Sequence, residues 1–274
     1  MNSTLDVSVD ARNAGAGASS GWASTVPTRR RTAFYSTMAI AMSIIVVLGF
    51  GPTFYFRAYT APALHLPPLA SALVWVHGFV FTSWMLVLLL QTTLVRIGKV
   101  QWHKKVGIAG AILGALMVLL GTVAQVAQTQ RLVAAKFIPL GVVNENLVTF
   151  GALTAMVVFG SLIGAAVRFR ARPETHKRLM LLATVVLLGA AAGRIGGIAG
   201  FVMPGVGPFV PAISTGLVDV FIVALAVHDL RATGRLHRAT IWGAIPIFLL
   251  QAVSFTSFYA SATATSFTTW LGNL

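Results

Sequence analysis

Seven apolar stretches recur along the chain, most near or above about 18 residues, with short polar segments between them. No other feature restricts the fold so strongly. A run of that length is what a helix needs to cross a bilayer, and in lipid every backbone N–H and C=O must find its partner inside the segment, which selects helices. The runs lie at about 34–56, 72–95, 104–127, 147–167, 178–200, 211–228 and 239–260. Only 9% of the residues are charged and 57% are hydrophobic, whereas soluble domains carry about a quarter charged residues. The expected fold is an all-α integral membrane bundle of about seven transmembrane helices, with the lipid bilayer as its solvent.

The loops orient this bundle. Arg29–Arg31 precede the first run; Arg96, Lys99, Lys104 and Lys105 follow the second; Arg168, Arg170, Arg172, Lys177 and Arg178 follow the fourth; Arg231, Arg235 and Arg238 follow the sixth. Fifteen of the twenty basic residues therefore share one side, and the opposite loops hold only Arg57, Arg131 and Lys136. The positive-inside rule puts the N-terminus in the cytoplasm and the C-terminus outside, as an odd number of crossings requires. The expected setting is the inner membrane, as a multi-pass protein. The net charge of +14 is thereby explained as an orientation signal, not as a nucleic-acid surface. Residues 1–28 are small and polar and read as a disordered cytoplasmic tail, with 29–260 as the membrane domain and 261–274 as a short outer tail. The first run is too long for a cleaved signal peptide and reads as a signal anchor. The GAGASSG run opens no helix and is no phosphate loop. The absence of cysteine excludes disulfides, thiolate metal sites and cysteine nucleophiles.

The three basic loops, RIGKVQWHKK, RFRARPETHKR and RATGRLHR, each run from arginine to a histidine with a basic neighbour. This shared form suggests repeated helix hairpins. Two loops on the other side, YTAPALHLPPLAS and FVMPGVGPFVP, are apolar and proline-rich, suited either to a lid or to the membrane interface.

Polar groups inside the runs mark candidate sites, because a charge near the bilayer centre costs about 2.5–3.5 kcal/mol on insertion scales. Asp219 and Arg194 are the two deep charges. Arg194 lies roughly 24 Å and Asp219 roughly 14 Å from the inner ends of consecutive helices, a gap that an arginine side chain narrows. An ion pair between them is expected, and a packing role and a proton or substrate role stay open. Three residues of the second run, His77, Trp84 and Gln91, are spaced by seven. That interval drifts only about 40° over the set, giving one polar-capable stripe about 21 Å long that must face protein or trapped water. Pairs of glycines four apart, Gly110/Gly114 and Gly160/Gly164, and the triplet Gly189/Gly193/Gly197, read as helix-packing seams.

Of six histidines, His103, His176, His228 and His237 sit at inner helix ends and are the candidate haem or metal ligands, while His77 has only His65 as an outer partner. Bis-imidazole ligation of haem b needs two facing rings at one depth. A retinal Schiff base is disfavoured, since no run holds a lysine away from its ends.

The blocks HGFVFTSWMLVLLLQTTLVRIGKVQWHKKVG and RPETHKRLMLLATVVLLGAAAGR, with Asp219 and the run His228–Arg231, resemble a family of uncharacterised bacterial multi-pass membrane proteins over roughly residues 34–245. The resemblance implies a multi-pass fold and brings no activity. The helix with His-Gly and Trp, followed by a His-basic loop, is also similar to cytochrome b561-like membrane proteins. This chain departs from those in lacking a second evident pair of facing histidines within its spans. Three functions are therefore carried forward: small-molecule or proton handling or sensing at His77, Trp84, Gln91, Arg194 and Asp219; b-type haem redox chemistry; and a structural or accessory role. A homo-oligomer is compatible with each.

Overall fold

The computed structural model describes residues 28–60, 68–135 and 145–274. The polar tail up to residue 27 and His65 lie outside the described residues. Helix α1 (Thr28–Phe50) ends in a π-helical turn at Gly51–Tyr55 and the short α2 (Arg57–Thr60). Then come α3 (Pro68–Arg96), α4 (Val100–Ala135), α5 (Glu145–Arg168), α6 (Pro173–Val202), a 3₁₀ turn at Pro204–Phe209, α7 (Val210–Thr233), α8 (Arg238–Ser254), a 3₁₀ turn at Ser257–Ala260 and α9 (Ala262–Gly272). The described chain is an all-α membrane bundle, with six helices long and apolar enough to cross a bilayer.

The seventh crossing is made by a helix of only 17 residues, α8, about 25 Å long. At its start Thr240 bonds Asp229 of α7, on the basic face. Just past its end the Tyr259 carbonyl accepts from Asn146 in the first turn of α5, on the opposite face. The chain has therefore crossed, and the apolar turn at Ser257–Ala260 completes the distance. Residues 261–274 do not trail away as a tail. Ser261 caps α9, which lies against α4 and α5, with Gly272 so close to Val133 that a Cβ would come within 2.5 Å of it. Helix α4, of 36 residues, is about 54 Å long and outreaches the roughly 30 Å hydrocarbon layer. Its polar last turns bond to α5, with Thr129 and Thr149 hydroxyls 3.0 Å apart.

Helix α6 is the axis of the bundle and packs against α1, α5, α7 and α8. In its most apolar window 61% of residues are buried, against 22–33% in the other spans. Elsewhere one face of each helix is left for lipid, such as Ile40, Ile44 and Leu48 on α1 and Ile108 and Ile112 on α4.

The glycines refine this packing. Gly110 and Gly114 meet Val87 and Trp84 of α3, and Gly160 meets Val118, so these are seams as expected. Gly164, Gly189, Gly193 and Gly197 are not: a Cβ on any of them would meet nothing within 4 Å. On α6 a different phase does the packing. Gly196 and Gly200 admit Ser214 and Val210 of α7, and Ala191 fits against Gly49 of α1. Four-residue spacing marks a smooth face but does not say which neighbour turns toward it.

The basic loops are not copies of one turn. Left-handed Gly98 (φ 77°) and Gly234 (φ 70°) end the helices before the first and third, where a side chain would be strained. The second instead starts its next helix with Pro173, whose missing N–H costs nothing at that position. His103 and His176 sit inside first turns, whereas His237 is a helix cap.

An alkaline phosphatase fusion at Leu274 should be active outside the cell, and one at Arg235 inactive. Equal activity at both sites would contradict a crossing by α8.

Candidate functional site

The stripe on α3 faces the interior along its whole length, and its three members meet different surroundings. Trp84 is 2% exposed. Its indole N–H donates to the Thr184 hydroxyl of α6 at 3.2 Å, its ring stands edge-on to Phe159 of α5, and Gly114 of α4 gives it room. A buried indole needs such an acceptor. Three neighbouring helices thus close around Trp84 at mid-membrane, and it separates the two ends of the stripe instead of lining a continuous path.

On the outer side, His77 stacks on Phe81 with ring centroids 4.1 Å apart. Its Nδ1 is buried without a hydrogen-bond partner, and the Leu120 carbonyl of α4 faces the ring. The π turn of α1 shapes this region. There the N–H of Phe56 reaches back to the Gly51 carbonyl, which turns Phe54 onto Gly78 and brings the Tyr55 hydroxyl within 3.0 Å of that of Thr82. Arg194 of α6 is near enough to act on His77 electrostatically. Its guanidinium lies 4.3 Å from the Phe50 ring centroid and donates to the Ala190 carbonyl at 2.8 Å. Protein crowds Arg194, yet its side chain keeps accessible surface beside the open faces of Gly189, Gly193 and Gly197. Arg194 therefore sits beside α1 at an open face of α6.

The expected Arg194–Asp219 ion pair is not formed. Asp219 instead accepts from the Gln251 amide of α8 at 3.0 Å. The reason is angular: Arg194 points toward α1, while the α6 residue that faces α7 is Gly196, against Ser214. No carboxylate approaches Arg194 within ion-pair distance among the described residues.

At the inner end of the stripe, Gln91 lies against Gly107 of α4, where a Cβ would stand 3.3 Å from its Nε2. Its Oε1 and the Nδ1 of His103 are both buried without hydrogen-bond partners. His176 of α6 comes to 6.3 Å from His103, ring centroid to centroid, with the planes at 81°. The other two candidate ligands do other work. His228 is stacked on Phe34 of α1 at 4.0 Å, and the Nδ1 of His237 caps α8 by accepting from the Ala239 N–H. Burial and the nearby Arg178 charge hold His237 below its ordinary pKa, against the opposite pull of Asp229 and Glu174. That is consistent with an unprotonated cap nitrogen.

The best-built polar cluster is formed around Arg178 and Lys177, which the positive-inside rule places among the loop charges. Arg178 and Asp229 are 2% and 0% exposed. Arg178 donates from Nε and Nη2 to Asp229 Oδ1 at 2.9 and 2.6 Å, and from Nη1 to Glu174 Oε2 and to the Glu174 carbonyl at 2.6 and 2.7 Å. Asp229 Oδ2 accepts from the Thr240 hydroxyl and the His237 N–H at 2.5 and 3.1 Å. Lys177 binds Glu174 and lies over the ring of Tyr35, which carries α1 into the cluster. The sequence signal was present: an arginine two turns into one hairpin helix, and an aspartate one turn before the end of the next, at matching depth. Because the donors and acceptors of the pair are matched, the cluster reads as a clamp and not as a binding site.

Comparison with family models, curated proteins and solved structures returns no match, so the reading of the site rests on its geometry.

Breaking the clamp from one side leaves a buried charge, worth about 3–5 kcal/mol. Arg178→Gln and Asp229→Asn should each lower resistance to SDS-driven unfolding by about that amount, and the double variant should lose clearly less than the sum. Additive losses would show that the two residues act independently.

Proposed function

We propose that this is a multi-pass inner-membrane protein, basic face in the cytoplasm, that binds a small anionic amphiphile in an outer crevice at Arg194 and His77, to sense or handle it. The observation that carries this reading is Arg194, a membrane-embedded cation with no carboxylate at ion-pair distance among the described residues. A guanidinium in apolar surroundings is stabilised by an anion that meets its planar donor fork, as phosphate or carboxylate does. The crevice supplies the rest. His77 lies nearby with a buried Nδ1 that has no hydrogen-bond partner, and the bare α6 face at Gly189, Gly193 and Gly197 leaves room for an apolar chain.

The position of Trp84 favours binding over passage. A ligand at His77 is cut off from Gln91 and the basic face by a side chain packed on three neighbouring helices. Along the stripe, the two ends carry unmatched polar atoms and the middle is matched.

The test uses purified protein in zwitterionic nanodiscs, with decyl phosphate as the probe and decyltrimethylammonium as the cationic control. Binding only to the folded state raises Tm. Decyl phosphate should stabilise the wild type and the cation should not. Arg194→Gln should weaken the effect about 10–100-fold, the loss of one or two charge-assisted hydrogen bonds. If the variant responds as the wild type does, Arg194 is not the anion site.

A further inference from the structure

A second site lies at the basic face, on the other side of Trp84, and does not depend on the outer crevice. It is built from His103 in the first turn of α4, His176 in the first turn of α6 and Gln91 near the end of α3. His176 places Nδ1 at 2.8 Å from the Ala166 carbonyl, an acceptor only, so that Nδ1 carries the proton and Nε2 keeps the lone pair. One ring nitrogen fixed on a backbone carbonyl and the other left as a free donor is the orientation that metal-binding histidines adopt. His103 faces it with an Nδ1 that is buried and has no hydrogen-bond partner.

The distances agree with a shared ion. The ring centroids are 6.3 Å apart. Two metal–nitrogen bonds of about 2.0–2.1 Å place the centroids of two coordinating imidazoles about 5–6 Å apart, so the rings need close by no more than about 1 Å. The third donor is the side-chain oxygen of Gln91, buried without a hydrogen-bond partner, on a side chain that lies against Gly107, one turn beyond His103 on α4. Two buried polar atoms without partners, the Gln91 oxygen and His103 Nδ1, are costly when left dry.

The geometry points to a transition-metal site formed by His103, His176 and Gln91, taking a first-row ion that favours imidazole, Cu²⁺ before Zn²⁺. Imidazole suits both ions and the usual stability order places copper first. All three ligands are neutral, and Lys104 and Lys105 follow His103 directly. Such a site holds its metal exchangeably, without the locking that thiolates or carboxylates provide. It also ties α3, α4 and α6 together at a point that the Arg178 clamp does not reach.

The test is a titration of the purified full-length protein, stripped with chelator, with Cu²⁺ and with Zn²⁺. Bound metal is read by elemental analysis, and the copper form by electron paramagnetic resonance. The wild type should bind one equivalent and show hyperfine coupling to two imidazole nitrogens. His103→Asn and His176→Asn should each weaken binding at least 10-fold and leave one coupled nitrogen at most. Gln91→Leu, which keeps both rings, should weaken binding less and preserve both couplings. His228→Phe should bind as the wild type does. The proposal is overturned if the wild type takes up no metal, or if binding survives both histidine substitutions. A Soret band lost in both histidine variants would overturn it too, by making the pair a haem ligand set.

Discussion

The buried pair of Arg178 and Asp229 is the interaction on which the arrangement of the bundle depends. Two charges out of water are tolerable only when their hydrogen-bonding capacity is met, and meeting it here takes three helices. Helix α6 supplies Arg178 and Glu174, α7 supplies Asp229, and α8 supplies Thr240 with the His237 N–H at its cap. The base of α1 closes the group through Tyr35 beneath Lys177. The depth of each of these helices is thereby set at the basic face. Ridge-and-groove packing in lipid sets depth only weakly, because sliding one apolar helix along another exposes nothing worse than more apolar surface.

From that anchored end the interior divides by how well its polar atoms are matched. Between Arg178 and Asp229 the donors and acceptors find one another, and at mid-membrane the Trp84 indole has Thr184. Above and below that tryptophan, His77 at one end and Gln91 with His103 at the other hold buried atoms without partners. Matched groups specify the packing, whereas unmatched ones raise the free energy unless something else binds them. Along α3, Trp84 lies between the two groups of unmatched atoms, the places where the proposed sites are argued.

Much of this was legible in the residues. Length and hydropathy were enough for the helices, and the interval from His77 to Gln91 was enough to turn that face inward, since both depend only on helix geometry and on the poverty of lipid as a partner. Side-chain direction between helices was not legible. Arg194 and Asp219 lie on consecutive helices with a bridgeable offset, yet point to α1 and α8, because helix rotation is set by Gly196 and Gly49, whose role their spacing does not announce. Arg178 was hidden for a different reason. A cation at a helix end is ordinarily solvated, and only the aspartate opposite it on α7 makes it a core residue. The 17-residue α8 shows that length alone misleads when a following turn finishes the crossing.

The central claim is that the outer crevice is open to one side only, with Trp84 barring the other. The chain has no cysteine, so one introduced at Gly193, where a side chain meets nothing within 4 Å, reports on that crevice alone. The decisive measurement is labelling of Gly193→Cys by a membrane-impermeant thiol reagent in sealed vesicles of each orientation. The account predicts modification from the face opposite the basic loops and none from the basic face. Modification from the basic face, or from neither, would contradict it.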